Sequence, residues 1–128
     1  MPIKILLVDD HAVVRSGLSK FLMVNKDLKL VGEAGDGEEA VQKVSLYKPD
    51  VVLMDLMMPV MDGLAAFDAI RALCETENWD MPAVVFCTGH APPGRVQEIV
   101  QGNPAHCLIL KPVDAGHMLH ALASRLPP

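Results

Sequence analysis

The sequence predicts an α/β domain, a doubly wound sheet of five parallel strands with helices on both faces. Three observations predict it. Five short apolar runs alternate with stretches whose apolar residues recur at helical spacing, and such alternation implies parallel pairing, because each helix carries the chain back across the sheet. The third and fourth runs, 51–54 and 83–87, are apolar without interruption, as strands covered on both faces should be, whereas Leu28-Lys29-Leu30 alternates like an edge. The chain has 128 residues, 51% of them apolar, which suits one domain with a sizeable core. Residues 1–128 are expected to form that single domain, and any further domain would lie beyond residue 128.

Taken in order, the first strand is Ile3–Val8 and ends against two acids, Asp9 and Asp10. Val14, Leu18 and Phe21, at i, i+4 and i+7, stripe the first helix. The second strand is Leu28–Ala34. Asp36 followed by Glu39 has the form of a capping box and opens the second helix, striped by Ala40, Val44 and Tyr47. Pro49-Asp50 introduces the third strand. Gly63 after Asp62 makes a tight loop, and Phe67, Ile70 and Cys74 stripe the third helix. The polar stretch 75–80 is expected to be an exposed loop before the fourth strand. Pro93 suits the first position of the fourth helix, where its missing N–H costs nothing. Val96, Ile99 and Val100 stripe that helix, and Gly102-Asn103-Pro104 ends it. The fifth strand is Cys107–Leu110, and Met118, Leu119, Leu122 and Leu126 stripe the last helix.

In an open parallel sheet, ligands bind beyond the carboxyl ends of the strands. The residues there should converge on one rim: Asp9 and Asp10 after the first strand, Asp55 after the third, Thr88 after the fourth, Lys111 after the fifth. Acids are rare at the mouth of a buried strand unless something positive joins them. Three carboxylates this close repel one another, and a hard divalent cation relieves that. Mg²⁺, or Mn²⁺ in its place, suits the set, since Mg²⁺ takes one or two carboxylates and keeps waters for a phosphate oxygen. Lys111 can balance a second oxyanion, and Thr88 can hydrogen-bond a third. Such a set serves phosphoryl transfer, with Asp55 as the nucleophile that would form an acyl phosphate.

Four stretches, "LLVDDH", "VLMDLMMPVMDG", "CTG" and "LKP", resemble the receiver domain of bacterial two-component response regulators, and the resemblance runs from Ile3 to about Leu126. The N-terminal half, with "VDDHAVVRSGL" and "VGEAGDGEEAV", is similar to receivers that precede a helix-turn-helix DNA-binding domain; the half after Asp62 resembles that group less. The resemblance implies a flavodoxin-like sheet of strand order 2-1-3-4-5. It implies Asp55 as phosphoacceptor, Asp10 as a direct Mg²⁺ ligand, Asp9 acting mainly through water, and the Met57 backbone carbonyl as a further ligand. Thr88 would turn inward to the phosphoryl group and Lys111 would pair with it, followed by a cis peptide at Pro112. The donor would be a sensor histidine kinase or a phosphotransfer protein. The face built from the fourth helix, fifth strand and fifth helix would then switch, controlling an output domain or partner, with transcription regulation and a homodimer on phosphorylation as consequences. One position departs from the family. Three residues before the lysine, where a Tyr or Phe often rotates with the threonine, stands Leu108.

Two residues are candidates to tune the phosphorylated lifetime: Met57, whose apolar side chain can overhang the phosphoryl group, and His90, two after Thr88. The methionines around them, Met54, Met58 and Met61, are read as packing, since thioethers fill gaps and ligate only soft metals. His117 and His120 share a helix face, but no third ligand accompanies them. His11 starts the first helix beside the acid pair and has no assigned role. Cys74, Cys87 and Cys107 form no C-x-x-C pair and read as buried, reduced thiols. The net charge of −5 argues against direct nucleic-acid binding by this domain. The N-terminal apolar run is too short for a signal peptide, and no segment approaches the roughly 20 apolar residues of a membrane span, so a soluble, cytoplasmic protein is expected. A phosphohydrolase with an aspartyl nucleophile would carry a second acid where Met57 stands. A flavin or nucleotide module would carry a glycine-rich phosphate loop after the first strand, and none follows it. The intact acids and lysine also disfavour a receiver that signals without phosphate. No enzyme in the ordinary sense is expected, only self-catalysed phosphorylation and dephosphorylation of Asp55.

Overall fold

Strands and helices alternate along the whole of the computed structural model, which describes residues 2–89, 94–111 and 115–123. They run β1 (Ile3–Val8), α1 (Ala12–Met23), β2 (Leu28–Ala34), α2 (Gly37–Tyr47), β3 (Val51–Asp55), α3 (Gly63–Glu77), β4 (Ala83–Thr88), α4 (Gly94–Gly102), β5 (Cys107–Leu110) and α5 (Ala115–Ala123). Every strand pairing is parallel, and the sheet order is β2-β1-β3-β4-β5. This is the flavodoxin-like order expected, with the two uninterrupted apolar strands β3 and β4 inside and the alternating β2 at an edge.

The period-2 side-chain alternation of the strands splits the core into two layers. Leu6, Val8, Val52, Met54, Val84 and Phe86 pack against Ala40 and Val44 of α2, Phe67 and Ile70 of α3, and Val96 of α4. Ile5, Leu7, Leu53, Val85 and Ile109 pack on the other side against Leu22 of α1 and against Met118 and Leu122 of α5. Each fully buried aliphatic or aromatic side chain contributes about 1.5–3 kcal/mol relative to exposure, so the two layers are the main source of stability. The β1–β2 register shifts between Ile5 and Leu6 and leaves Val31 as the extra residue. The shift brings Val8 opposite Ala34 and lets the Asp9 N–H reach the Ala34 carbonyl at 3.1 Å.

Several local expectations hold and others are corrected. Asp36 Oδ1 accepts the Glu39 N–H at 2.8 Å, as an N-cap should. The Glu39 carboxylate turns to Lys43 at 3.0 Å. Asp62 caps α3 in the same way, on the Ala65 N–H at 2.8 Å. The stretch 75–80 is not all loop. α3 continues through Glu77 because Glu75, Thr76 and Glu77 extend its solvent face, and it stops where Asn78 turns left-handed with φ 58°. Trp79 then packs on the core, with the Lys48 ammonium 4.4 Å above its ring. Cys74 and Cys87 are buried as expected, but Cys107, at the start of the edge strand β5, is only half-buried. The stripe of α1 buries Leu22 and half-buries Leu18 and Phe21, while Val14 stays 39% exposed. Val14 lies in the first turn, at the carboxyl edge of the sheet, where it walls a cavity. Tyr47, at the end of α2, is exposed too.

His106 was not singled out in the sequence, yet it is buried just before β5. Its Nδ1 accepts the Val84 N–H at 2.9 Å, and its ring meets Phe67 edge-on with centroids 5.1 Å apart. The imidazole thus stands in for a backbone carbonyl where the β4–β5 ladder begins. His90, Pro93, Pro112 and Leu126 lie outside the described residues, as do the side chains of His117 and Leu119. Among the described residues, no helix is long and apolar enough to cross a membrane.

Candidate functional site

The carboxyl ends of β1, β3, β4 and β5 bring together the residues that the sequence placed at one rim. Asp9 follows β1, Asp55 and Thr88 are the last residues of β3 and β4, and Lys111 follows β5. The Lys111 N–H donates to the Thr88 carbonyl at 2.7 Å, which fixes where the lysine leaves the sheet. Asp9, Asp55 and Thr88 are 3%, 4% and 2% exposed, so three polar side chains are held inside the sheet's edge. Burial on this scale demands compensation. Lys111 Nζ supplies part of it, donating to Asp55 Oδ2 at 3.1 Å and standing 3.6 Å from Asp9 Oδ2. Burial by itself pulls the Lys111 ammonium down, but the hydrogen bond to Asp55 and the fields of Asp55 and Asp9 outweigh it and hold the ammonium above its usual range.

Backbone groups supply the rest. Asp55 Oδ1 accepts the Met57 N–H at 3.2 Å, and Asp9 Oδ1 accepts the His11 N–H at 2.9 Å. Arg15 Nη1 donates to the Asp9 carbonyl at 2.6 Å and its guanidinium reaches Glu33 at 3.5 Å, tying α1 to β1 and β2. Nothing in the sequence singled out Arg15, since only the turn of α1 carries it over the end of β1. Asp10 is less well served. Its Oδ1 is buried and makes no hydrogen bond among the described residues, with His11 Nδ1 lying 3.1 Å away. One ligand atom from each of Asp9, Asp10, His11 and Asp55 lies within 4.8 Å of every other. Three carboxylates face one ammonium in this acidic pocket, and the uncompensated Asp10 oxygen makes the donor set fit a hard divalent cation.

The loop from Leu56 to Asp62 forms the floor. Its ends are pinned by Leu56 N–H to the Cys87 carbonyl and Gly63 N–H to the Leu56 carbonyl, both at 3.0 Å. A Cβ at Gly63 would stand 2.7 Å from the Asp55 carbonyl oxygen and 2.9 Å from Leu56 Cα, so only glycine lets α3 start this close to the end of β3. Val60, at the loop's tip, adopts φ 67°, a left-handed conformation unfavourable for a β-branched residue. Val60→Gly should relieve about 1–2 kcal/mol of strain and give back about 0.5–1 kcal/mol in backbone entropy. The expected result is a small net rise in the urea midpoint, and a fall would show the valine side chain to be stabilising.

Met57, two residues after Asp55, is 63% exposed. Leu108 lies opposite Phe86 in the β4–β5 register and is half-buried against the core layer that holds Phe86, Phe67 and Val96. A cavity of about 340 Å³ opens from Asp55 and Lys111 toward α1, walled by Val13, Val14 and Cys87. Burial pushes the Cys87 thiol up to about 12, only partly opposed by Lys111. A thiol raised from an unfolded value near 9 contributes stability that is complete below pH 9 and is lost as pH climbs toward 12. Wild type should therefore lose on the order of 1 kcal/mol by about pH 10 through this thiol. Urea titrations at pH 8 and pH 10 check it, and an equal loss in Cys87→Ala would refute it.

With this geometry in hand, comparison with known proteins is informative. Residues 5–123 match the model of the response regulator receiver domain. The chain is 36% identical over 124 residues to response regulator protein VraR of Staphylococcus saprophyticus, a match that covers 95% of this chain and 56% of that protein. It therefore spans about half the length of that relative. Among solved structures, the signal receiver domain of response regulator NarL from Mycobacterium tuberculosis superposes with a TM-score of 0.79 at 28% identity, covering 96% of this chain and 94% of that one. The response regulator domain of Thermotoga maritima CheB superposes with a TM-score of 0.81 at 28% identity over the whole of both chains. An acidic pocket with a lysine at the carboxyl edge of a 2-1-3-4-5 sheet and a family match across most of the sequence lead to one conclusion: this chain belongs to the response regulator receiver domain family, signalling proteins of two-component systems.

Proposed function

We propose that Asp55 is the phosphoacceptor of a single receiver domain formed by residues 1–128, and that Mg²⁺, or Mn²⁺, is held by Asp9, Asp10, Asp55 and the Met57 carbonyl. The observation that carries the reading is the division of charge. Lys111 is committed to Asp55 and Asp9, while Asp10 Oδ1 is buried with no hydrogen bond of its own. An Asp55 oxygen forms a bond to the phosphorus of a donor phosphohistidine as the N–P bond breaks, and the imidazole leaves with the electron pair and takes up a proton. When bound, the cation offsets charge on the phosphoryl oxygens. Lys111 moves its hydrogen bond from the carboxylate to a phosphoryl oxygen, and the Thr88 hydroxyl hydrogen-bonds another.

The donor is a sensor histidine kinase or a phosphotransfer protein. The α4-β5-α5 face carries the signal, with Thr88 and Leu108 as the switching pair and no aromatic ring between them. Phosphorylation shifts an equilibrium between two arrangements of that face. The recipient is an output domain beyond residue 128 or a separate partner, and transcription regulation, with a homodimer formed on phosphorylation, is the role we assign. The match to a longer relative supports this arrangement. The protein acts in the cytoplasm, and this domain, with its net charge of −5, does not itself bind nucleic acid.

The test is intact mass after incubation with a small acyl phosphate. Wild type should gain one phosphoryl group with Mg²⁺ and none in EDTA, and Asp55→Ala should gain none; labelling of Asp55→Ala would overturn the assignment. Met57 sets the lifetime by limiting access of water to the acyl phosphate, and His90 is the second residue assigned to tune it. Met57→Asn should then dephosphorylate several-fold faster, and an unchanged decay rate removes Met57 from that role.

A further inference from the structure

We propose that His11 is a fourth side-chain ligand in the acidic pocket, through Nδ1, and makes the site take borderline transition-metal dications such as Co²⁺ in preference to Mg²⁺. The proposal rests on the phosphoacceptor reading only in treating Asp10 and Asp55 as cation ligands.

His11 Nδ1 stands 3.1 Å from Asp10 Oδ1 and 3.4 Å from Asp9 Oδ1. Adjacent ligands on an octahedral dication with bonds of about 2.1 Å lie about 3 Å apart, and opposite ones about 4.2 Å apart. The three carboxylates and a nitrogen of this ring, all within 4.8 Å of one another, are close to that spacing before any ion draws them in. Among the described residues, the polar partners of the ring are these two carboxylates, Asp9 and Asp10, the same atoms a cation would share with it. His11 is the N-cap of α1, but its side chain makes no capping hydrogen bond, and the side chain is 66% exposed. What ties the residue to the pocket is its backbone, whose N–H donates to Asp9 Oδ1. The imidazole is therefore held near the pocket by its backbone and open to solvent.

Donor chemistry turns this position into selectivity. Mg²⁺ prefers oxygen and keeps its waters. Imidazole nitrogen suits Co²⁺, Ni²⁺, Cu²⁺ and Zn²⁺, and affinity for such ions rises along that series to Cu²⁺. Replacing one water by a histidine nitrogen should strengthen binding of these ions and leave Mg²⁺ nearly unaffected.

The test titrates Co²⁺ and Mg²⁺ separately into wild type, His11→Ala and Asp10→Asn by calorimetry, and records pulsed EPR of each protein with bound Mn²⁺ for coupling to a ring nitrogen. Wild type should show nitrogen coupling and His11→Ala none. The Co²⁺-to-Mg²⁺ affinity ratio should fall by about tenfold or more in His11→Ala while Mg²⁺ affinity stays the same. Asp10→Asn should weaken both ions by about tenfold or more, and undiminished Co²⁺ affinity in that variant would place the ion outside the acidic pocket and overturn the proposal. An unchanged ratio, no coupling in wild type, or coupling that survives in His11→Ala would overturn the proposal, the last by placing the ion on another histidine. If wild type binds Mg²⁺ but shows no nitrogen coupling, only the His11 ligand fails. If it binds no Mg²⁺ at all, the cation site behind the phosphoacceptor reading fails with it.

Discussion

Replacing Lys111 with methionine is expected to lower stability by about 2 kcal/mol and to slow phosphoryl uptake by about 10²–10³-fold. Methionine keeps most of the apolar stem, so the loss is that of the charge. Asp55 and Asp9 are almost fully buried, and Lys111 Nζ is the ammonium that meets both, at 3.1 and 3.6 Å. Breaking a fully buried pair from one side costs about 3–5 kcal/mol; the lysine side chain is 28% exposed, and water reaching the rim reduces that figure. The rate falls for a separate reason, since the same ammonium would meet the charge developing on the phosphoryl oxygens. Magnesium should distinguish the two effects. By linkage, a cation bound only by the folded state stabilises it, and the rise in melting temperature on adding Mg²⁺ should be larger for Lys111→Met than for wild type, because more repulsion remains to be relieved. Equal stability of the two proteins in EDTA would mean that Lys111 does not compensate the acids.

Asp10→Asn should act in the opposite direction on stability. It removes one of three neighbouring negative charges, and the one whose Oδ1 is buried without a hydrogen bond. In EDTA the variant should be more stable than wild type by about 1 kcal/mol, the scale of one modest like-charge interaction. In Mg²⁺ the order should reverse, because the wild type gains binding energy that the variant cannot. Phosphoryl uptake should be abolished. Urea unfolding in EDTA and in Mg²⁺ measures both arms, and a variant less stable than wild type in EDTA would show that the acids are not in conflict.

Much of this was legible in the sequence, and for a physical reason. Parallel strands buried on both faces must be written in apolar residues, so the runs 3–8, 51–54 and 83–87 stand out with little to confuse them. The pocket was legible because its residues sit at the ends of those strands, and strand ends converge by topology alone. Apart from Cys107, half-buried at the start of the edge strand β5, the corrected readings concern helix faces and ends. The apolar spacing of α1 includes Val14, which lies over the rim of the sheet, and the polar end of α3 reads as loop because polarity on a solvent face does not distinguish helix from coil. His106 and Arg15 were invisible for a different reason. Each makes a hydrogen bond to a backbone group far from it in sequence or across a turn, the Val84 N–H and the Asp9 carbonyl, and such a bond leaves no periodic trace. Val60 is the converse, a residue whose type opposes its own conformation, with φ 67° imposed by the pinned loop around it.

The most direct measurement is chemical trapping of the phosphorylated protein. Borohydride reduces an acyl phosphate to an alcohol, turning a phosphorylated aspartate into homoserine, which peptide mass spectrometry then locates. After treatment with an acyl phosphate and Mg²⁺, homoserine is expected at position 55 and nowhere else. Homoserine at position 9 or 10, or a phosphoryl group that survives reduction because it sits on a histidine or hydroxyl, would contradict the assignment of Asp55 as the residue that carries the signal.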